Sequence, residues 1–267
     1  MNDTEQVLHN LRLDLTRKMV AMAKQGTTHE APGVMEVDVS YFLDPELFTR
    51  EHRKLFRETP LLACLSSDIA EPGSFQIFED VGVPIVILRG KDGQVRAFLN
   101  VCPHRGARVV RTDCGIASRF TCRFHGWTFD TMGKAIGVPN ELEFCGEIED
   151  RKHLIPCPAE ERYGLVFVQA TPNSAMDLDA HLGEFASQLA ALGLDRASLV
   201  VSDQVESAAN WKYTLDTYFE NYHLPALHRD TFAKVFAHNL CLLETWGPHQ
   251  RFTFPQRSIH DWMNKPE

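Results

Sequence analysis

The chain has 267 residues, 44% of them apolar, enough to bury a sizeable core and more than one small domain needs. A formal net charge of −9 argues against non-specific binding to nucleic acid or anionic membranes. No apolar run approaches the roughly 18 residues of a membrane-spanning helix, and the acidic MNDTEQ start lacks the marks of a secretory signal, so a soluble, cytoplasmic protein is expected.

Residues 1–25 carry Val7, Leu8, Leu11, Leu15 and Met19 at helical spacing, which predicts a helix ended by GTTHEAPG at 26–33. From about residue 60 the pattern turns to strands. SFQIFED (74–80), VPIVILRG (83–90) and QVRAFLNV (94–101) are short β-branched or aromatic runs bounded by Gly and Pro. The Asp92-Gly93 pair predicts a hairpin between the last two. WTFDTMGKAIG predicts another hairpin and GLVFVQA (164–170) a closing strand. Beyond them, HLGEFASQLAALG (181–193) reads as a helix with a Gly stop, and SLVVSDQVES (198–207) as a strand. WKYTLDTYFENYH (211–223) reads as a helix broken by Pro225. The expected organisation is an N-terminal helical segment (1–40), a small antiparallel β domain (41–170) and a second domain (171–267).

Seven cysteines (64, 102, 114, 122, 145, 157 and 241) are an odd number in a chain without an export signal, favouring metal ligands or buried thiols over disulfides. Only two have histidines at ligand spacing. Cys102 and His104 form C-x-H and, after seventeen residues, Cys122 and His125 form C-x-x-H. Such donors suit either tetrahedral zinc or a [2Fe–2S] cluster with one iron on two thiolates and the other on two imidazoles. The tight C-x-H pair suits the cluster. Gly106 and Gly126 follow the two loops, where close backbone approach to sulfide would exclude a Cβ. Cys64, Cys114, Cys145, Cys157 and Cys241 read as core or surface thiols. Arg105, Arg108, Arg111, Arg119 and Arg123 stand against one acid, Asp113. They make either a docking patch for an acidic electron donor or solvated surface.

CPHRG with CRFHGW resembles the Rieske iron–sulfur motif. About a hundred residues later comes NWKYTLDTYFENYHLPALH (210–228). On a continuous helix Asp216, Glu220 and His223 share one face, and a break at Pro225 lets His228 swing toward His223. Two such histidines supply two corners of a 2-His-1-carboxylate iron site. The order of these motifs resembles the large (alpha) subunit of Rieske-type aromatic ring-hydroxylating oxygenases over roughly residues 40–230.

The resemblance implies an α+β fold: an all-β Rieske [2Fe-2S] domain followed by the start of a helix-grip catalytic domain, preceded by an N-terminal helix. It implies Cys102, His104, Cys122 and His125 as cluster ligands and His223 and His228 as ligands of a mononuclear Fe(II). Glu220 matches the acid that bridges a catalytic histidine to a Rieske histidine of the neighbouring subunit, here His125, and Asp216 a supporting polar position. Electrons would come from NAD(P)H through a reductase, often with a ferredoxin, and O2 would be the co-substrate. A homotrimer follows from the inter-subunit path, with or without a small beta subunit.

Two departures qualify the match. Glu at position 220, where Asp is common, keeps a carnitine-, choline- or betaine-type quaternary ammonium substrate beside the aromatic one. Tyr218, Phe219 and Tyr222 would suit either, or pack in a core. The family's third iron ligand is a carboxylate farther downstream; Asp230, Glu244, Asp261 and Glu267 do not match its position, and a C-terminally truncated chain is expected. The rival readings are a Rieske electron-transfer protein, a fragment without oxygenase activity, and a zinc-binding module.

Overall fold

The computed structural model describes residues 3–144 and 146–265. The chain divides into two compact units. One comprises Thr49–His181 with Gly193–Asp203; the other comprises Met1–Phe48, Leu182–Leu192 and Gln204–Glu267.

The first unit is built from β1 (Leu61–Leu65), β2 (Ser74–Phe78), β3 (Ile85–Arg89), β4 (Val95–Leu99), β5 (Cys114–Ile116), β6 (Arg119–Thr121), β7 (Thr128–Asp130), β8 (Ala135–Gly137), β9 (Pro156–Cys157), β10 (Ala159–Arg162) and β11 (Leu165–Val168). A five-stranded sheet runs β5-β2-β3-β4-β9, with three-stranded sheets β6-β7-β8 and β1-β11-β10. All pairings are antiparallel.

β3 explains the apolar run IVIL. Val86 and Leu88 enter one core with Phe75, Phe98, Phe120 and Phe129; Ile85 and Ile87 enter a second with Cys64, Val166 and Val168. A strand buried on both faces has no polar alternation to show. Each of its four side chains is 0% exposed, and burying each stabilises the fold by roughly 1.5–3 kcal/mol.

The predicted β3–β4 hairpin forms in register Ile85↔Leu99 to Arg89↔Val95. The Asp92 carboxylate accepts from Gln94 N (3.2 Å) and from Arg96 (2.8 and 2.6 Å) at its turn. β7 and β8 form the second hairpin, where Asp130 Oδ1 accepts from Met132 N and Lys134 N.

The second unit holds the helix Asp3–Gln25, the helix Phe185–Leu192 and the hairpin β12 (Leu242–Trp246) with β13 (His249–Thr253). Met19, Ala237, Leu240 and Ile259 form its small core. Arg251 joins Glu244 to Gln188, and Lys18 bonds Glu244 from the N-terminal helix at 3.0 Å.

Three elements differ from expectation. Residues 181–193 are two short helices, Leu178–Leu182 and Phe185–Leu192, parted at Gly183 with φ 47°. Residues 198–207 form no strand. Val200, Val201 and Val205 are 79–93% exposed, and β-propensity without a ladder partner does not make a strand.

The third concerns 211–223. A helix covers only Trp211–Asp216, and a second one, Leu224–Leu227, begins at His223. Pro225 sits in its first turn, where a missing N–H costs nothing, and so starts a helix instead of breaking one. Between the helices Glu220 Oε2 accepts from Tyr222 N (2.5 Å) and His223 N (3.2 Å). A side chain that satisfies those N–H groups replaces the i−4 carbonyls a continuous helix would use.

Candidate functional site

In the first unit, two loops carry the four predicted cluster residues. One follows β4; the other joins β6 to β7. Each closes the same way: Cys102 N donates to Ala107 O (2.7 Å) and Gly106 N to Cys102 O (2.9 Å), while Cys122 N donates to Trp127 O (2.8 Å) and Gly126 N to Cys122 O (2.9 Å). Gly106 (φ 73°) and Gly126 (φ 76°) take left-handed backbone at the last turn of each loop. That conformation is what calls for glycine; a Cβ on Gly106 would meet no atom within 4 Å, and one on Gly126 only Pro139 at 3.4 Å.

Cys102 and Cys122 are buried, and the His104 and His125 rings lie outward of them with centroids 4.5 Å apart. Burial raises the Cys102 thiol above its ordinary range. The N–H groups of His104 and Arg105 work against that rise, and the neighbouring Cys122 thiol adds to it. Burial holds the His104 ring below the usual imidazole value, with His125 and Arg105 acting in the same direction. A neutral imidazole is the ligand form. His104 stacks on Trp127, and its Nδ1 is buried with no hydrogen-bond partner. An orphaned buried ring nitrogen beside a second histidine and two thiols fits a metal cluster better than a packed core. Among the described residues no three His, Cys, Asp or Glu side chains converge on one ion position. Cys102 stands beside Cys122, and His104 beside His125.

The five arginines are exposed. Arg108 pairs with Glu79 at 2.8 Å. Of the other predicted thiols, Cys64 and Cys157 are buried, Cys241 half-buried and Cys114 exposed; Cys145 lies outside the described residues.

In the second unit, Asn210 caps the helix Trp211–Asp216, accepting from Lys212 N at 3.0 Å. His223 and His228 stand at the two ends of the helix Leu224–Leu227, ring centroids 5.3 Å apart. Glu220 Oε1 bonds His223 Nδ1. Burial works to raise the Glu220 carboxyl, but the bonds from the His223 ring and from the His223 and Tyr222 backbone outweigh it and leave it below the usual range. Glu220, His223 and His228 are thus brought together.

Asp216 is exposed, and its carboxylate makes no hydrogen bond or ion pair among the described residues. Asp230 pairs with Arg229 and Lys234, and Glu244 with Arg251 and Lys18; Glu267 lies outside the described residues. Tyr218 and Tyr222 are exposed, while Phe219 packs edge-on to Phe252. Asn221, which sequence reading passed over, is 4% exposed and donates to Ala237 O and Leu240 O at 3.4 Å. It ties the Glu220–His223 turn to the unit's core.

Comparison with known proteins agrees with both halves. Residues 59–154 match the Rieske [2Fe-2S] domain, and residues 194–266 match the ring hydroxylating alpha subunit catalytic domain. The benzene 1,2-dioxygenase subunit alpha of Pseudomonas putida is 39% identical over 150 residues, covering 55% of this chain and 33% of that protein. The carnitine monooxygenase oxygenase subunit of Acinetobacter pittii is 30% identical over 199 residues, covering 70% of this chain and 51% of that protein. A quaternary ammonium Rieske monooxygenase solved with L-carnitine superposes with a TM-score of 0.72 at 29% identity, over 81% of this chain and 61% of that one. The chain thus spans between a third and a half of the length of these curated relatives. It carries a Rieske [2Fe-2S] domain followed by part of a ring-hydroxylating alpha-subunit catalytic domain, and belongs to the Rieske oxygenase large-subunit family.

Proposed function

We propose that the chain serves O2-dependent hydroxylation of a small organic molecule, taking electrons at the Cys102/His104/Cys122/His125 centre for use at an iron held by His223 and His228. The carrying observation is the buried, unpartnered Nδ1 of His104 beside His125 and the two thiols. When bound, the [2Fe–2S] cluster supplies one-electron transfer at a raised potential and the mononuclear Fe(II) an open-sided centre for O2.

Cys102 and Cys122 would hold one cluster iron. The His104 and Arg105 N–H groups at the Cys102 sulfur favour its thiolate form. His104 and His125 would hold the other iron as neutral rings. At the second site, Glu220 accepts the Nδ1 proton of His223, which leaves Nε2 as the lone-pair donor to metal. Glu220 keeps 42% side-chain exposure, room for a second contact. In the bridging role that contact is His125 of a neighbouring copy, and this asks for a homotrimer. Asp216 would act on the same path from the preceding helix. An acidic reductase or ferredoxin is the expected electron donor. Arg105, Arg111, Arg119 and Arg123 support that choice, being exposed around the cluster loops without ion pairs among the described residues.

For the substrate, a quaternary ammonium compound is the better-supported class. The carnitine monooxygenase match runs over 199 residues, whereas the benzene dioxygenase match runs over 150. Exposed Tyr218 and Tyr222 beside Glu220 add faces that attract a cation. The aromatic ring is the second reading, favoured by the higher identity of 39%.

Anaerobic purification, with iron and acid-labile sulfide counted per polypeptide, tests the proposal. Iron in excess of sulfide is expected. Equal iron and sulfide would remove the second metal site, and zinc without sulfide would overturn the whole reading. Oxygen uptake with a reductase, comparing L-carnitine with benzene, decides the substrate class.

A further inference from the structure

The two ligand loops close alike but are anchored differently. The loop Cys122–Trp127 sits at the tip of the β6–β7 ladder, where Thr121 pairs with Thr128 and their hydroxyls bond at 3.0 Å. Among the described residues no such ladder crosses the base of the loop after β4. There Asn100, 0% exposed, uses its side chain instead: Nδ2 donates to Val110 O and Oδ1 accepts from Val110 N, both at 2.8 Å. A carboxamide sets an N–H donor and an oxygen acceptor side by side, as a backbone residue does in a sheet. The Asn100 N–H donates to Pro84 O at 2.8 Å, which fixes the residue to the entry of β3. Val110 lies in the same core as Cys102, Cys122 and Trp127.

We propose that Asn100 is a positioning residue for Cys102 and His104, its side chain replacing the ladder pair that the first cluster loop lacks. The proposal rests on the reading of these two residues as cluster ligands. Asn is the shortest side chain that donates and accepts in one plane, so no apolar residue of equal size does both. Without it, Val110 N–H and C=O lose their partners in a buried place, and the base of the loop loses its paired hydrogen bonds.

The test uses the full chain, purified with its cluster. Asn100→Leu removes both bonds, and Asn100→Ser is the milder variant should the first fail to fold. Val166→Ala, in a core that contains none of the four ligands, is the control for loss of stability alone. Cluster retention under a chelator and the electron paramagnetic resonance spectrum of the reduced cluster are read at matched folded fraction. An Asn100 variant should lose sulfide about 10-fold faster or more, the scale of a residue that orients a ligand, with shifted g values, while Val166→Ala keeps the wild-type spectrum. Wild-type retention and spectrum in the Asn100 variants, despite lower melting temperatures, would overturn the assignment. Wild type without labile sulfide would instead overturn the cluster reading itself.

Discussion

The His104 and Trp127 rings stack with centroids 5.0 Å apart and planes 4° from parallel, and Phe144 meets both edge-on at 88°. The ring that would bind iron is therefore oriented before any metal arrives. Trp127 is 3% exposed, so replacing it both opens a cavity and frees the imidazole. Trp127→Leu should destabilise the chain by about 2 kcal/mol or more, and Trp127→Phe, which keeps a ring face for His104, by about 1 kcal/mol. Urea unfolding measures the cost. If only volume matters, the two variants will differ in stability alone. If the stack matters, visible circular dichroism of the cluster will change more in the leucine variant.

The cysteines should separate by reactivity. Burial raises the Cys64 thiol to about 12, with Asp68 and Glu161 adding and Arg89 opposing; burial raises Cys157 to about 11, against Arg57. At pH 8 about one Cys64 in ten thousand would be thiolate even if it were reachable. Cys114 is exposed. A short iodoacetamide pulse on the native chain should modify Cys114 and spare Cys64 and Cys157, which react once urea is added. Mass spectrometry of the peptides reads the pattern, and early labelling of Cys157 would mean that the sheet carrying β9 opens locally.

How much of this was legible depended on whether the deciding contacts were local. The two loops that carry the proposed cluster ligands could be read because C-x-H and C-x-x-H place their donors within one turn of chain. β3 and its hairpin could be read because apolar run and Asp-Gly turn agree. AEER (159–162) could not: its residues favour helix, and only the ladder to β11 makes it β10. Asp216, Glu220 and His223 fit helical spacing, yet the Glu220 carboxylate competes for the N–H groups of Tyr222 and His223. The pattern was right for a helix and the local chemistry was right for a turn. Asn100 gave no signal, because its partner Val110 is set by a loop closing in space.

Buried thiols also set an alkaline limit to stability. The Cys64 thiol titrates at about 12 folded and near 9.0 unfolded. Above pH 9 the unfolded chain loses this proton first and is favoured. The stability that the protonated thiol secures is fully present below pH 9 and is lost as pH rises toward 12. Other groups titrate in this window, so the difference between variants is the clean measure. Cys64→Ala will be less stable near pH 7 through its cavity, but its stability should fall less steeply between pH 9 and 11. Parallel slopes would mean that Cys64 keeps an ordinary thiol.

The two proposed metal sites draw on separate residues, and substitutions should therefore separate them. His223→Ala removes one proposed iron ligand in the unit Met1–Phe48, Leu182–Leu192 and Gln204–Glu267, whereas the cluster donors all lie in the other unit. Iron in excess of sulfide should vanish, substrate-dependent oxygen uptake should stop, and the cluster spectrum should not change. Glu220→Gln is subtler. The amide has one oxygen where the carboxylate has two, so it can accept from His223 Nδ1 or from the Tyr222 and His223 N–H groups but not from both, and the negative charge that strengthens Nε2 as a donor is gone. Iron affinity at this site should weaken about 10-fold to 100-fold, the range for partners of ligating histidines, while sulfide stays at the wild-type level. Glu220→Ala should cost more, because it leaves no acceptor for the His223 ring or for the Tyr222 and His223 N–H groups. If Glu220 served only to shape the turn, Glu220→Gln would bind iron as wild type does and only the alanine variant would fail. An iron titration of the three variants, followed by oxygen uptake, tells the two roles apart.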